Sequence, residues 1–168
     1  MRFYCSDDTV DLEQYPYHVR DVHISDPFIL ADPKSRCYYT YVQFADTKRF
    51  PDVETDKEHG VFYVLESKDL IHWSKPQICF RQNNFWADKD YWAPEVHIWK
   101  GRYYLFSSFR ADGHYRKCQC LVSDSPKGPF EPIRQEAVTP DGWQSLDGTL
   151  YVCLLYTSPS PRDLSTSR

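Results

Sequence analysis

Three carboxylates stand where they could do chemistry together: Asp26 in Ser25-Asp26-Pro27-Phe28, Glu95 in Trp92-Ala93-Pro94-Glu95, and Asp147 in Leu146-Asp147-Gly148. Each opens or flanks an apolar, aromatic-rich run, and Trp92 adds a large ring beside the second. Carboxylates that converge in an aromatic-walled depression suit glycoside cleavage. One acid protonates the leaving oxygen, and another carboxylate activates water or attacks carbon. Taken singly, each residue has an ordinary structural reading. Asp before Pro initiates turns, and Asp147-Gly148 is a common turn pair. Glu95 reads equally as a solvated strand end and Trp92 as a core aromatic. Their recurrence in one register sets them apart.

That register comes from the elements that carry them. Residues 91–106 read as a hairpin: Val96 and Ile98 alternate with His97 and Trp99, Lys100-Gly101 supplies the turn, and an aromatic-rich second strand follows from Arg102 to Phe106. Pro94 lacks a backbone donor and belongs at the start of the first strand. A weaker copy lies upstream. There a strand over residues 22–30 meets the turn Ala31-Asp32-Pro33-Lys34-Ser35, a second strand covers 36–44, and a third covers 60–66. Between them, residues 45–59 are charged and aperiodic and read as an exposed loop. The closing turn around Trp73 and Pro76 leads to an edge strand and is repeated around Pro126 and Pro132, after a strand over residues 117–122. A third copy opens at Leu146-Asp147-Gly148-Thr149-Leu150-Tyr151-Val152. Four short antiparallel strands repeated radially describe a β-propeller. The fold expected is all-β: an incomplete propeller of about two blades plus the first strand of a third.

Composition agrees and narrows the function. The 168 residues are 17% aromatic, with 13 Tyr and 12 Pro, which favours short strands and turns. A net charge of -4 with no basic stripe argues against nucleic acid, and no apolar run reaches membrane-spanning length. The first residues lack an apolar signal core, which favours a cytoplasmic location. No Gly-rich phosphate loop, Gly-x-Ser-x-Gly elbow or His-Glu-x-x-His is present. The six His are dispersed and the six Cys scattered, so neither a metal site nor a cofactor is expected. Cys118 and Cys120 would share one strand face as core thiols.

Several segments in the same order resemble glycoside hydrolase family 43: Ser25-Asp26-Pro27-Phe28, Ser67-Lys68-Asp69-Leu70-Ile71-His72-Trp73, Trp92-Ala93-Pro94-Glu95-Val96, Ser123-Asp124-Ser125-Pro126-Lys127-Gly128-Pro129-Phe130, and the run from Leu146 to Val152. The resemblance implies a five-bladed propeller that hydrolyses arabinose- or xylose-containing plant polysaccharides or oligosaccharides with inversion, as an arabinofuranosidase or xylosidase would. It implies that Asp26 is the general base and Asp147 the carboxylate that tunes the acid's pKa and orients the substrate. Trp92 and Glu95 would line the substrate pocket. The family's general acid is a glutamate from a later blade, beyond Asp147. Glu131 and Glu136 lie between blades and match no acid motif. The expectation is therefore a truncated, inactive stretch of a glycosidase. A non-catalytic carbohydrate-binding propeller and a protein-interaction propeller are the competing readings.

Three segments follow: a polar lead-in over residues 1–20, the partial propeller over 21–152, and a Ser/Thr/Pro-rich tail over 153–168 that resembles translated sequencing adaptor and is expected to be non-native.

Overall fold

The computed structural model describes residues 10–22, 24, 26–43, 50, 61–82 and 85–152. The expected non-native tail and most of the loop at 45–59 lie outside these residues. Among the described residues, ten strands form two antiparallel sheets. The first sheet contains β1 (Tyr17–His18), β2 (Phe28–Asp32), β3 (Cys37–Val42), β4 (Val61–Ser67), β5 (His72–Trp73) and β6 (Gln77–Arg81). Its path runs β1-β5-β4-β3-β2, with β6 paired to β4. The second runs β10-β9-β8-β7, with β7 at Lys89–Trp99, β8 at Arg102–Arg110, β9 at Lys117–Ser123 and β10 at Glu131–Pro132.

Strand β4 shows why the chain folds this way. All seven of its residues are buried. Phe62 and Val64 join one apolar cluster, while Val61, Tyr63 and Leu65 join another on the opposite face. A strand alternates its side chains, so a continuous apolar run means a strand covered on both sides. The first cluster is shared between the sheets. Phe62 and Phe80 meet Tyr91 and Phe109, with Phe109 ring centroids 5.8 Å from Phe62, 6.3 Å from Phe80 and 5.0 Å from Tyr91.

Polar contacts cross the same seam. The Tyr41 hydroxyl donates to the Pro126 carbonyl at 2.8 Å, and the Tyr103 hydroxyl donates to Asp32 Oδ2 at 3.0 Å. The Phe130 N–H donates to the Cys79 carbonyl at 2.8 Å. Beside it, Gly128 has φ +79°, and a Cβ there would lie 2.3 Å from the Cys79 carbonyl oxygen. Only glycine fits that approach.

Glu66 is the other crossing point. Lys127 Nζ pairs with its Oε2 at 2.7 Å, and the Tyr15 hydroxyl donates to its Oε1 at 2.6 Å. Burial alone would raise the Glu66 carboxyl, but the Lys127 and Tyr15 bonds outweigh it and hold the group below the ordinary glutamate value. Asp32 is depressed in the same way: burial opposes, while bonds from Ser35, the Lys34 N–H and Tyr103 prevail. A depressed folded pKa contributes stability that is complete above the unfolded value, about 4.3 for Glu. It disappears as pH falls through the lower, folded value, at about 1.4 kcal/mol per unit of difference. The expected result is a thermal midpoint that falls below pH 5, with a shallower fall in Glu66→Gln. Melts from pH 6 to pH 3 check this, and identical acid limbs would count against it.

The structure departs from the sequence reading at several places, one of them β8, which runs to Arg110 instead of ending at Phe106. The lead-in is partly structural: β1 pairs with β5 and Tyr15 is fully buried, because Glu66 offers its hydroxyl an acceptor. Phe50, expected in an exposed loop, is buried against Tyr17 at 4.5 Å. The strand expected over 22–30 begins only at Phe28. Pro94 lies inside β7 and not at its start, tolerated because the register shifts between Lys89 and Trp92 and again between Trp92 and Glu95. Bulges are where a strand admits proline. The third copy at 146–152 forms no ladder among the described residues. The hairpin turn matches expectation: Lys100 and Gly101 have φ +48° and +79°, the type I′ pattern. Cys118 and Cys120 are buried free thiols, and burial pushes Cys120 up to about 11.

Candidate active site

Asp26, Ala93 and Asp147 occupy matching points of the three repeat units, and all three have left-handed backbone, with φ +50°, +47° and +51°. None is glycine. Asp tolerates this region better than most residues, while Ala does not, and two of the three precede proline. Backbone strain of this kind persists where surrounding structure over-determines it, and such places cluster at functional sites.

The result is one open cavity of about 420 Å³, lined by Asp26, Phe28, Trp92, Glu95, Leu146 and Asp147 together with the flanking Pro27, Ala93 and Pro94. All four residues singled out from the sequence therefore share one depression. Its carboxylates are Asp26, Glu95 and Asp147. A larger cavity of about 700 Å³ opens between β6 and β10, but Glu131 is its only carboxylate, so it lacks the pair that glycoside chemistry needs.

Each wall is held from behind. The Trp92 ring is covered on one face by the Arg116 guanidinium, 3.6 Å from the ring centroid, yet the residue stays 42% exposed. Asp90 fixes that guanidinium at 2.7 Å and also takes Arg110 Nε at 2.6 Å. The Ser107 hydroxyl donates to the Trp92 carbonyl. Trp92 thus presents a braced aromatic platform suited to an apolar sugar face.

Asp147 hangs on a segment without regular structure that is stitched to β8 and β9. Its N–H donates to Ser108 Oγ at 3.1 Å, and the Ser145 N–H donates to the Arg116 carbonyl at 3.0 Å. Gly148 lies against Cys118, where a Cβ would sit 3.3 Å from both Cβ and Sγ. Glu95 Oε1 accepts from Thr149 Oγ1 at 2.5 Å and contacts His97 Nε2. The roles of Ser108, His97, Thr149 and Arg116 were not read from the sequence. Thr149 and Glu95 stand equally far beyond Asp147 and Ala93, so the repeat register was the available signal. Among the described residues, no group of three or more His, Cys, Asp or Glu could hold a metal ion.

The sequence pattern that defines "Glycosyl hydrolases family 43" matches residues 18–153. The chain belongs to glycoside hydrolase family 43. Its relatives include a curated xylosidase/arabinosidase 43A of Humicola insolens, 29% identical over 148 residues, covering 82% of this chain and 38% of the relative. An endo-arabinase structure from Bacteroides thetaiotaomicron superposes with a TM-score of 0.69 at 39% identity, over 82% of this chain and 44% of that one. A β-xylosidase/α-arabinofuranosidase from a compost microbial metagenome, solved with xylotriose, gives 0.55 at 21% identity over 75% and 38%, a likeness of fold alone. This family 43 chain thus spans less than half the length of these relatives. Its two sheets are all-β propeller structure covering roughly two fifths of the complete fold.

Proposed function

We propose that the protein carrying this chain hydrolyses glycosidic bonds in arabinose- or xylose-containing plant polysaccharides or oligosaccharides, with inversion at the anomeric carbon. The observation that carries the reading is the shared cavity of Asp26 and Asp147, both on left-handed backbone beside the braced Trp92 ring. In this reading Asp26 takes a proton from the attacking water. Asp147 orients the sugar and, as a neighbouring negative charge, keeps a separate acid protonated near neutrality. Trp92 stacks on the ring, and Glu95 belongs to the pocket wall. The acid that protonates the leaving oxygen comes from a later blade. The 168 residues by themselves are therefore expected to turn over no substrate.

The names of the relatives support the substrate class, since they pair xylosidase with arabinosidase and include an endo-arabinase. The braced Trp92 also favours a second reading, a propeller that binds carbohydrate without cleaving it. One experiment separates them. The full-length protein, expressed from the intact gene, is offered aryl arabinofuranosides, aryl xylosides, arabinan and xylan while proton NMR follows the first anomer released. Hydrolysis with the opposite anomer appearing first is the expected result. The same anomer appearing first would remove inversion, and sugar binding without release would favour the second reading.

A further inference from the structure

The cavity is tied together through the residues two positions beyond each left-handed residue. From Asp26, Ala93 and Asp147 these are Phe28, Glu95 and Thr149. They belong to three different repeat units, and all three meet one side chain. His97 Nε2 contacts Glu95 Oε1 and lies 3.3 Å from Thr149 Oγ1. The Phe28 ring centroid is 5.6 Å from that of His97, and Phe106 packs at 6.3 Å. Thr149 Oγ1 donates to the same Glu95 oxygen at 2.5 Å. One carboxylate oxygen therefore gathers the second and third units, while the imidazole reaches the first.

We propose that Glu95, His97 and Thr149 are positioning residues that set where the Asp147 carboxylate stands relative to Asp26. The proposal rests on the hydrolytic reading above and changes the part given to Glu95, which acts as a latch and not as a sugar ligand. The physical need is clear. Residues 139–152 form no ladder, so nothing periodic places Asp147. Its backbone is held at 3.1 Å by Ser108 on the near side, and Thr149 supplies the fastening on the far side. Ser108 and Cys118, which accepts from the Gly148 N–H, hold the backbone here, and without the far fastening at Thr149 the left-handed Asp147 can shift toward ordinary backbone. Phe28, against the imidazole, gives the Asp26 turn the same reference point.

The test uses the full-length protein with Thr149→Val, Thr149→Ser, Glu95→Gln and Glu95→Ala. Thr149→Val keeps the shape and removes the hydroxyl. It is expected to lower kcat roughly 10- to 100-fold with KM changed by less than about threefold, the signature of a misplaced group and not of lost sugar contacts. Thr149→Ser restores the donor and returns kcat to within about threefold of wild type. Glu95→Gln keeps an acceptor oxygen and stays similarly close, while Glu95→Ala follows Thr149→Val. A sugar-ligand role for Glu95 predicts the reverse: a raised KM in Glu95→Gln and no effect in Thr149→Val, which overturns the proposal. Crystals of Thr149→Val give a readout independent of turnover. The Asp147 to Ser108 bond should open there and persist in Thr149→Ser, and an unmoved Asp147 overturns the proposal. A wild type that cleaves nothing would sink the hydrolytic reading alone, leaving the crystals to decide this one.

Discussion

Asp26→Asn in the full-length protein is expected to lower kcat by roughly 10²- to 10⁴-fold, the share that a positioned general base contributes, while sugar binding stays close to wild type. The substitution is chosen for its backbone. Asp26 has φ +50°, and Asn is among the few residues that share its tolerance of that region. The amide matches the carboxylate in shape and in its place on the cavity wall, but it cannot take a proton from water at neutral pH. Asp26→Ala would remove the same oxygen atoms and also strain the turn, mixing two effects. Turnover of aryl glycosides gives kcat, and calorimetric titration with an oligosaccharide gives affinity. Wild-type turnover in Asp26→Asn would remove Asp26 as the base. Parallel loss of affinity and turnover would mean that the turn, and not the chemistry, had been disturbed.

Phe109→Ala has the largest expected effect on stability, a loss of about 3–5 kcal/mol. Phe109 is fully buried and packs edge-on against Phe62, Phe85 and Tyr91, with Phe80 at 6.3 Å. Removing its ring leaves a hole bordered by aromatic side chains from both sheets, and rigid rings collapse poorly into space. Since a whole domain is stable by only about 5–15 kcal/mol, the variant should lose much of its folded population on modest warming. Phe109→Leu, which refills most of the volume, should cost less than about 1.5 kcal/mol. Urea denaturation monitored by Trp fluorescence measures both. An Ala variant within about 1 kcal/mol of wild type would mean that this cluster does not join the sheets energetically.

The sheets were legible because their signals are local. Alternation and turn residues located β3, β4 and β9 to within a residue or two at their described ends, and the start of β8 at Arg102, although β8 runs four residues past its expected end at Phe106; Lys100-Gly101 specified its turn. What escaped depends on partners distant in sequence. Tyr15 lies in a polar stretch, and its burial follows from Glu66, 51 residues away. Pro94 could be placed inside β7 only by knowing that two register shifts free its neighbours. The same division runs through the site. The repeat register brought out Asp26, Trp92, Glu95 and Asp147, which share one cavity. The left-handed backbone at Asp26, Ala93 and Asp147 carries no glycine marker, and the bonds of Glu95 to His97 and Thr149 are tertiary.

The seam between the sheets also bears on how this structure comes apart. Tyr41, Tyr103, Lys127 and Phe130 each reach across it, and the Tyr41 and Tyr103 bonds join residues 85 and 71 positions apart. Propeller blades are often treated as beads that each add an increment of stability. Here the first sheet closes its buried carboxylates, Asp32 and Glu66, only with donors that include residues from the second. The second sheet cannot peel away from an intact first sheet without leaving these buried carboxylates short of donors. The two sheets are therefore expected to come apart together and not one at a time.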